Sequence, residues 1–575
     1  MFRLLKMMKA YRKECILAPL FKMLEAFFEL FIPIVVADII DNGIKTGNKS
    51  YIYTRALIMT ALAVIGLVCA VTAQYFSAKA AVGFSSKVRV RLFRHIQLLS
   101  YTETDQIGTS TMLTRLSNDL NQVQTGVNLT LRLLLRSPFI VFGSMIMAFT
   151  INVRAAVIFA IMIGILSLIV FGIMLINIPL YKKVQSGLDR VLGATRENLT
   201  GVRVIRAFGL EEHETARFGE ANRTHTAMQR FVGRISALMN PITYAVVNFA
   251  IIALIYVGAW EVEGGIISQG ELVALYNYMT QILVELVKMA NLIISITKAV
   301  ACGNRIQAVL DIETEELQAS DPESSTVIDG SVTFDRVSLC YKKASEESLT
   351  DISFSVKSGE TFGIIGGTGS GKSSLVNLIP RFYDTESGAI RFGDTDIRSL
   401  SKEALRQSIG MVPQKAVLFR GTVRSNLLFG NENATDADLW EALEAAQAAD
   451  FIREKDGGLD APVEQNGRNF SGGQRQRLTI ARALVRKPKI LILDDSASAL
   501  DYATDAKLRA AIASLPYHPT TFIVSQRTAS IVSADQILVL EDGEAVGLGT
   551  HEALLESCPI YAEIHFSQFG KEANT

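Results

Sequence analysis

The sequence predicts a multi-domain chain in which a helical membrane domain of six spans, residues 1–310, precedes an α/β domain, residues 330–575. Three observations favour this division. The chain is 49% hydrophobic, and the apolar excess lies before residue 310. After residue 330 short apolar strands alternate with helices, which is typical of an α/β domain. Between the two lies an acidic, serine-containing stretch, 311–329, which is predicted to be a linker.

Composition excludes some classes of protein. The chain has 57 basic and 57 acidic residues, so its net charge predicts no nucleic-acid partner. Its mean hydropathy of +0.27 is high for a soluble protein. The five cysteines have no metal-type spacing, which indicates free thiols. The basic N-terminus is followed by no small-residue cleavage site, and we expect a retained cytoplasmic tail.

Six apolar segments predict the membrane spans, since about 20 helical residues cross the hydrocarbon core. The segments are 16–40, 56–73, 137–151, 155–180, 241–260 and 272–297. An even number of spans places both chain ends on one side of the bilayer. Basic clusters in the tail, in 79–94 and in 182–234 place that side in the cytoplasm. We therefore expect a multi-pass protein of the plasma membrane, with its N-terminus and α/β domain in the cytoplasm.

The two inward connections are unusually long, at about 55–60 residues each. They are polar but keep apolar residues at helical spacing, as at Val88, Leu92 and Ile96. This pattern predicts long cytoplasmic extensions of the membrane helices. The extensions are expected to turn around at 100–106 and at 208–213.

Charged residues inside membrane spans are costly and invite a functional interpretation. Glu25 and Glu29 lie in the first predicted span, and Glu285 and Lys288 lie in the sixth. Glu285 and Lys288 are three residues apart on one helical face, so they are predicted to pair. For Glu25 and Glu29 two interpretations stay open: a functional role, or a position near the cytoplasmic end or a wet cavity without any specific ligand.

A glycine-rich loop at 366–373 predicts a phosphate site. It follows a predicted strand, 361–365, and leads into a predicted helix, 374–379. In this setting backbone N–H groups and the helix N-terminus face the phosphates. Lys372 is expected to reach the β- and γ-phosphates, and the Ser373 hydroxyl to hold Mg²⁺. The predicted nucleotide contacts are Gly366, Gly367, Thr368, Gly369, Ser370, Gly371, Lys372, Ser373 and Ser374.

Two further motifs belong with this loop. A buried-type strand, 490–493, ends in Asp494, whose carboxylate can hold Mg²⁺ through water. A second predicted phosphate-binding turn opens the helix 475–485, because glycines admit a phosphate closely and the helix dipole favours the anion. Its residues are Ser471, Gly472, Gly473 and Gln474. Alone this tetrapeptide is weak evidence, but about twenty residues before Asp494 it is strong evidence.

Together these residues resemble the ATP-binding cassette (ABC) transporter family, and six spans followed by a cassette resemble its exporter-type half-transporters. The resemblance covers nearly the whole chain. It implies an α/β P-loop nucleotide-binding domain that binds ATP and Mg²⁺, and export of hydrophobic drugs, lipids or peptides by alternating access. It also implies a second ABC half-transporter as partner, because in the family each ATP lies between the phosphate loop of one chain and the signature of the other.

The resemblance assigns further roles. Tyr341 matches the aromatic residue that stacks on adenine. Gln414 matches the glutamine that senses Mg²⁺ and meets the membrane helices, which makes it a catalytic and a metal-site candidate. Asp501 belongs to the loop, 498–501, that faces the opposite subunit.

Three positions depart from the family's pattern. Asp495 stands where a glutamate polarises the attacking water, and it has roughly 1.5 Å less reach. Gln526 stands where a histidine contacts the γ-phosphate, and an amide donates a hydrogen bond without carrying a charge. Gln465 replaces a glutamate that is usual upstream of the signature. Two weakened catalytic positions beside an intact signature resemble the degenerate-site subunit of a heterodimeric exporter, whose signature completes the partner's competent site.

Three alternatives stay open at this point. One is a homodimer with two slow sites. Another is an ATP-gated channel or regulatory membrane protein, and a third is an importer built on the exporter fold. Nothing in the sequence names the substrate, because cavity specificity is spread over many apolar side chains.

Overall fold

The structure is a computed structural model, and it describes residues 2–314, 329–342 and 346–569. The described chain divides into two compact units. The first unit holds the chain up to Ile312 except for Leu98–Gly108. The second holds Leu98–Gly108 and the described residues from Glu313 onward. Most of the predicted linker, 315–328, lies outside the described residues.

The first unit is built of long helices, and each predicted span falls on one of them. The longer helices are Arg12–Asp38, Lys49–Gln97, Leu120–Leu133, Arg136–Ile151, Val153–Thr200, Glu211–Ala237, Met239–Glu263 and Gln269–Leu310. Shorter helical segments are Phe2–Leu5, Lys6–Tyr11, Ile39–Ile44, Thr109–Thr114, Arg115–Asp119 and Val202–Ala207.

Five helical stretches of the described chain are long and apolar enough to cross a membrane. They are Lys49–Gln97, Thr109–Ile151, Val153–Thr200, Glu211–Glu263 and Gln269–Leu310. The first predicted span, in Arg12–Asp38, does not meet the same criterion because it carries Lys22, Glu25 and Glu29. The number of six spans therefore stays a prediction.

The predicted helical extensions are present. Lys49–Gln97 has 49 residues and Val153–Thr200 has 48. At about 1.5 Å per residue each helix is about 70 Å long, more than twice the hydrocarbon core of about 30 Å. Val88 and Leu92, from the predicted apolar stripe, are fully buried in a core cluster with Leu120 and Ile306.

Three sheets form the framework of the second unit. Its strands are β1 (Val332–Leu339), β2 (Leu349–Val356), β3 (Thr361–Gly366), β4 (Ser387–Phe392), β5 (Thr395–Asp396), β6 (Ile409–Val412), β7 (Gly421–Thr422), β8 (Pro462–Val463), β9 (Ile490–Asp494), β10 (Thr520–Val524), β11 (Gln536–Glu541) and β12 (Glu544–Gly549). The largest sheet has the order β12-β11-β3-β10-β9-β6; its pairs are parallel except β11–β12. An antiparallel sheet has the order β2-β1-β4-β5, and β7 pairs with β8.

Helices pack around these sheets. They are Tyr101–Ile107, Lys372–Leu378, Lys402–Gln407, Val423–Leu427, Asp436–Ala445, Ala449–Arg453, Gly472–Leu484, Tyr502–Ala513, His551–Ser557 and Pro559–Phe569, with short turns at Gly458–Asp460, Gln465–Gly467 and Thr528–Ser530. Two buried clusters cover the large sheet. The strands β9 and β10 are buried along their whole length, as expected for parallel strands covered on both faces. This arrangement confirms the predicted fold class of a helical transmembrane domain followed by an α/β nucleotide-binding domain.

Candidate ATP-binding site

The large sheet brings the predicted phosphate residues to one edge. Strand β10 pairs in parallel with β3 on one side and with β9 on the other, and Val524 lies opposite both Ile364 and Asp494. The loops that follow these three strands therefore leave the sheet at the same edge, where ligands of open α/β sheets bind. These loops carry the glycine-rich segment 366–373, Asp495 and Gln526.

Glycines shape the phosphate loop at two close approaches. A Cβ on Gly366 would lie 2.1 Å from the carbonyl oxygen of Leu540. Gly371 has a φ of +93°, and a Cβ there would lie 2.9 Å from the Ser348 carbonyl oxygen. Gly371 caps the helix Lys372–Leu378. The helix starts two residues earlier than predicted, since Lys372 and Ser373 belong to its first turn.

The Lys372 ammonium is folded onto its own loop. Its Nζ donates to the carbonyl oxygen of Gly366 at 2.9 Å, to that of Gly367, and to Ser370 Oγ at 3.3 Å. Burial lowers the pKa of Lys372 below its usual value, and the charges of Asp495 and Asp494 oppose that shift. A phosphate oxygen would take the place of these neutral acceptors and restore a full counter-charge to the buried ammonium.

Ser373 and Asp494 form the predicted metal pair. Ser373 Oγ donates to Asp494 Oδ1 at 3.0 Å. Burial raises the pKa of Asp494 above its usual value, repulsion from Asp495 acts in the same direction, and the Ser373 hydrogen bond opposes it. A buried carboxylate beside a hydroxyl is an all-oxygen donor set of the kind that Mg²⁺ prefers. The residues present therefore fit Mg²⁺.

Asp495 sits on a fixed backbone. Its φ is +46°, a left-handed value that aspartate tolerates better than most residues. The Asp495 N–H donates to the Val524 carbonyl oxygen at 3.0 Å, and Ser498 Oγ donates to the Asp495 carbonyl oxygen at 2.8 Å. Gln414 Nε2 donates to Asp495 Oδ2 at 3.1 Å. The structure thus joins Gln414 to the catalytic candidate Asp495, whereas the Ser373 hydroxyl is joined to Asp494.

Gln526 follows β10, and the C-terminal helix holds its loop. Gln568 Nε2 donates to the Gln526 carbonyl oxygen at 2.7 Å. Gln568 Oε1 accepts from the Thr528 N–H at 2.9 Å and from Thr528 Oγ1 at 3.1 Å. His565 Nδ1 lies 3.3 Å from the same hydroxyl. Sequence reasoning missed Gln568, and no local signal could have found it, since 42 residues separate it from Gln526.

Tyr341 lies beside the phosphate loop, as the adenine assignment requires. Its hydroxyl donates to Ser374 Oγ at 2.9 Å, which ties it to the helix that begins at Lys372. Its ring meets Tyr383 edge to face, with centroids 5.1 Å apart. The ring is half-buried and packs against the apolar core beneath the sheets, and stacking on adenine stays a prediction.

The signature residues form a second group. Ser471 caps the helix Gly472–Leu484, and Gln474 completes a capping box with it. A Cβ on Gly473 would lie 3.1 Å from the Ala499 carbonyl oxygen, so the signature packs against the loop 498–501. Asp501 caps the helix Tyr502–Ala513, and hydrogen bonds from the backbone and side chain of Thr504 lower its pKa. The helix after the signature begins at Gly472 instead of 475 because of the capping box.

The first predicted turnaround belongs to the α/β unit. The Tyr101 ring stacks on Phe382 with centroids 4.3 Å apart. Tyr383 donates to Asp105 at 2.7 Å, and the Lys342 ammonium lies 3.0 Å from Glu103. Burial and the Asp105 contact raise the pKa of Tyr383. In the first unit the other turnaround exposes Phe208 and Leu210.

The fold and this site define a membrane-embedded ATP-hydrolysing transporter. The family described as ABC transporter transmembrane region matches residues 15–286, and the family described as ABC transporter matches residues 349–498. The chain belongs to the ABC transporter family and is a half-transporter of the exporter type, with one transmembrane domain and one ATP-binding domain.

Individual relatives match the chain from end to end. It is 36% identical over 574 residues to the uncharacterized ABC transporter ATP-binding protein YfiB of Bacillus subtilis, covering 100% of both chains. It is 31% identical to the putative multidrug export ATP-binding/permease protein YgaD of the same species (97% of each chain) and 29% identical to the ATP-dependent lipid A-core flippase of Yersinia pestis (99% and 98%). The solved structure of a bacterial Atm1-family ABC exporter with ATP bound is similar with a TM-score of 0.81 at 25% identity, covering 98% and 99%.

Proposed function

We propose that this chain is the degenerate-site subunit of a heterodimeric exporter. It spans the plasma membrane six times, with its N-terminus and ATP-binding domain in the cytoplasm. It moves hydrophobic or amphipathic molecules outward by alternating access. Relatives named as a multidrug exporter and as a lipid flippase support this class of substrate.

The observation that carries the proposal is the contrast between an intact phosphate cradle and a short carboxylate. The contacts of Lys372 with its loop and of Ser373 with Asp494 support binding of ATP with Mg²⁺. Asp495 is anchored to Val524 and Ser498, so its backbone does not move forward to supply the missing reach of roughly 1.5 Å. The Gln526 amide can donate a hydrogen bond to a phosphate oxygen but cannot carry a proton charge.

In this mechanism binding and hydrolysis are separated. Lys372 turns from its loop carbonyls to the phosphates, and Tyr341 stacks on the adenine. Ser373 and Asp494 would hold Mg²⁺, which when bound neutralises charge on the transferring phosphoryl group. Asp495, oriented by Gln414, would accept a proton from the water that attacks the γ-phosphorus. A base placed too far from that water forfeits much of a contribution of roughly 10²–10⁴-fold, so ATP stays bound and turns over slowly.

Two measurements test the proposal. A tag on this chain should recover an equimolar second ABC half-transporter from native membranes; recovery of this chain alone, with brisk ATPase activity, supports the homodimer instead. The complex is then given photoreactive 8-azido-ATP carrying an α-phosphate label, allowed extensive turnover, and irradiated. We expect triphosphate cross-linked to this chain, and none on the Lys372→Ala control. Label recovered on this chain as diphosphate, or absent from it, contradicts slow turnover with retention.

A further inference from the structure

Four side chains of the first unit form a chain of alternating charge: Glu29, Arg136, Glu285 and Lys288. Arg136 Nη2 donates to Glu29 Oε2 at 2.7 Å, and Nη1 donates to Glu285 Oε1 at 2.6 Å. Lys288 Nζ donates to the same Glu285 oxygen at 2.9 Å. These residues come from three different helices, Arg12–Asp38, Arg136–Ile151 and Gln269–Leu310.

The two inner members, Arg136 and Glu285, are buried and paired with each other, although Arg136 Nε has no hydrogen-bond partner among the described residues. The Arg136 side chain is 8% exposed and that of Glu285 is 4% exposed. The second Glu285 oxygen accepts from Ser137 Oγ at 2.7 Å. Such a pair is what a membrane-embedded charge needs in order to be tolerated.

The two outer members of this charged cluster, Glu29 and Lys288, are partly exposed. The Glu29 side chain is 34% exposed and that of Lys288 is 45% exposed. Both line one cavity of about 370 Å³. Its wall also includes Gln281, whose Oε1 is enclosed and has no hydrogen-bond partner among the described residues. One anionic end and one cationic end therefore face the same space, and Gln281 is part of its wall.

The charges of the whole cluster cancel. Glu25 pairs with Lys22 and lies 3.8 Å from Arg136 Nε, so three carboxylates meet three cations. A ligand with a single charge would leave a net charge beside the buried Arg136–Glu285 pair, and an uncompensated charge at a buried pair is costly. A ligand with one charge of each sign would place its cation at Glu29 and its anion at Lys288. The cluster with its ligand would then still have no net charge.

The rest of the wall combines apolar side chains with the polar Asn277 and Thr280. Ile32 and Val36 lie one and two helical turns from Glu29, and Ile140 and Val284 line the same cavity. The apolar side chains suit a hydrocarbon segment, because they give it van der Waals contact without leaving a hydrogen-bonding group unpaired. The charged side chains and the apolar part of the wall together indicate an amphiphilic ligand.

We propose that this cavity binds the headgroup of a zwitterionic amphiphile, with Glu29 holding its cationic group and Lys288 its anionic group. The proposal rests on the exporter function given above, since it names the class of molecule that the exporter carries. A purely structural ion network predicts something different: its removal would weaken the fold without changing which charged ligand the protein prefers.

The test is direct binding to the purified full-length complex in a nonionic maltoside detergent, which supplies no zwitterionic lipid, without ATP. Four radiolabelled probes of matched chain length are compared: a lysophosphatidylethanolamine, a zwitterionic alkyl sulfobetaine, an alkylamine and an alkyl phosphate. We expect both zwitterions to bind about tenfold or more tightly than either single-charge probe. A preference for the lysolipid over the sulfobetaine identifies a lipid, and equal affinity assigns recognition to the charges alone.

Two charge-removing variants should shift the preference in opposite directions. Glu29→Gln should lose affinity for the alkylamine and gain it for the alkyl phosphate, and Lys288→Gln should do the reverse. Lys298→Gln, an exposed position on the same helix as Lys288, is the matched control and should change neither. Each variant is expected to gain affinity for one probe, and a loss of stability alone cannot produce such a gain.

Two outcomes overturn the proposal. One is equal binding of all four probes to the unmodified protein, or no saturable binding of any. The other is a uniform loss of affinity for every probe in both variants, which is what a structural role predicts. Because the assay uses neither ATP nor transport, a failure of the exporter proposal would appear in the nucleotide and partner measurements and not here.

Discussion

Replacing Asp495 by glutamate is the smallest change that tests whether side-chain reach limits hydrolysis at this chain's own ATP site. Because Val524 and Ser498 fix the backbone, the extra methylene extends the carboxylate by roughly 1.5 Å from an unchanged Cα. A misplacement of about 1 Å can cost about 10²-fold in rate. We therefore expect Asp495→Glu to raise hydrolysis at this site by about 10²-fold, or about 2.7 kcal/mol of barrier.

The same change has a predictable cost. At a φ of +46° glutamate is less well tolerated than aspartate, and the left-handed conformation costs about 1–2 kcal/mol for ordinary residues. The variant should therefore be slightly less stable, which would appear as a small drop in the thermal midpoint. That penalty acts on folding and does not reduce the gain in rate of the folded protein.

The assay is a single-turnover measurement on the proposed heterodimer, with the partner's own phosphate-loop lysine replaced and the partner's signature made intact. Asp495→Asn, which has the same length as the natural side chain but no base, should show no gain. Asp394→Glu adds the same methylene at an exposed turn and should also leave the rate unchanged. If Asp495→Glu binds ATP normally and the hydrolysis rate does not rise even when Gln526→His is added, the length of side chain 495 and the charge of side chain 526 do not limit hydrolysis at this site.

Three further outcomes follow from the contacts. Gln568→Ala should slow hydrolysis severalfold with little change in ATP affinity, and the loss should vanish in a Gln526→Ala background; additive losses would exclude positioning through that loop. Arg136→Met leaves buried Glu285 without its guanidinium, so we expect about 3–5 kcal/mol of destabilisation, and an unchanged thermal midpoint in detergent would contradict this. Tyr101→Ala removes the ring stack between the turnaround 100–106 and Phe382; we expect this turnaround to link ATP hydrolysis to transport, so hydrolysis should persist while the amount of substrate moved per ATP falls, and a constant ratio would exclude that link.

The parts of the site that sequence could predict are those set by local chemistry. A strand, a glycine-rich turn and a helix follow one another without a break around Lys372, so their geometry is nearly fixed by the residues themselves. Asp494 could be placed at the same edge because parallel strands end together. The Glu285–Lys288 pair needed only the helical repeat, and it is present at 2.9 Å.

The parts that sequence could not predict depend on contacts between distant segments. Arg136 lies one residue outside the predicted span 137–151, and nothing in the sequence says which carboxylates it meets. Its partners Glu29 and Glu285 are 107 and 149 residues away. Only the packing of three helices brings them together. Tyr278 is a second example of such a contact. Its ring is fully buried, and its hydroxyl donates to the carbonyl oxygen of Leu30 on a distant helix.

The charged residues at the sheet edge and those around Arg136 differ in how well their buried charges are compensated. This difference is the reason for assigning the first site to ATP and the second to an amphiphile. At the sheet edge Asp494 and Asp495 repel each other, and burial disfavours both the charged Asp494 and the charged Lys372. Those charges are relieved only by a ligand that supplies both a cation and phosphate oxygens. The membrane cluster is already neutral, so a ligand gains there only by matching both open ends at once. We therefore expect the sheet-edge site to prefer the strongly charged Mg-ATP, and the cavity beside Glu29 and Lys288 to prefer a ligand whose own charges cancel.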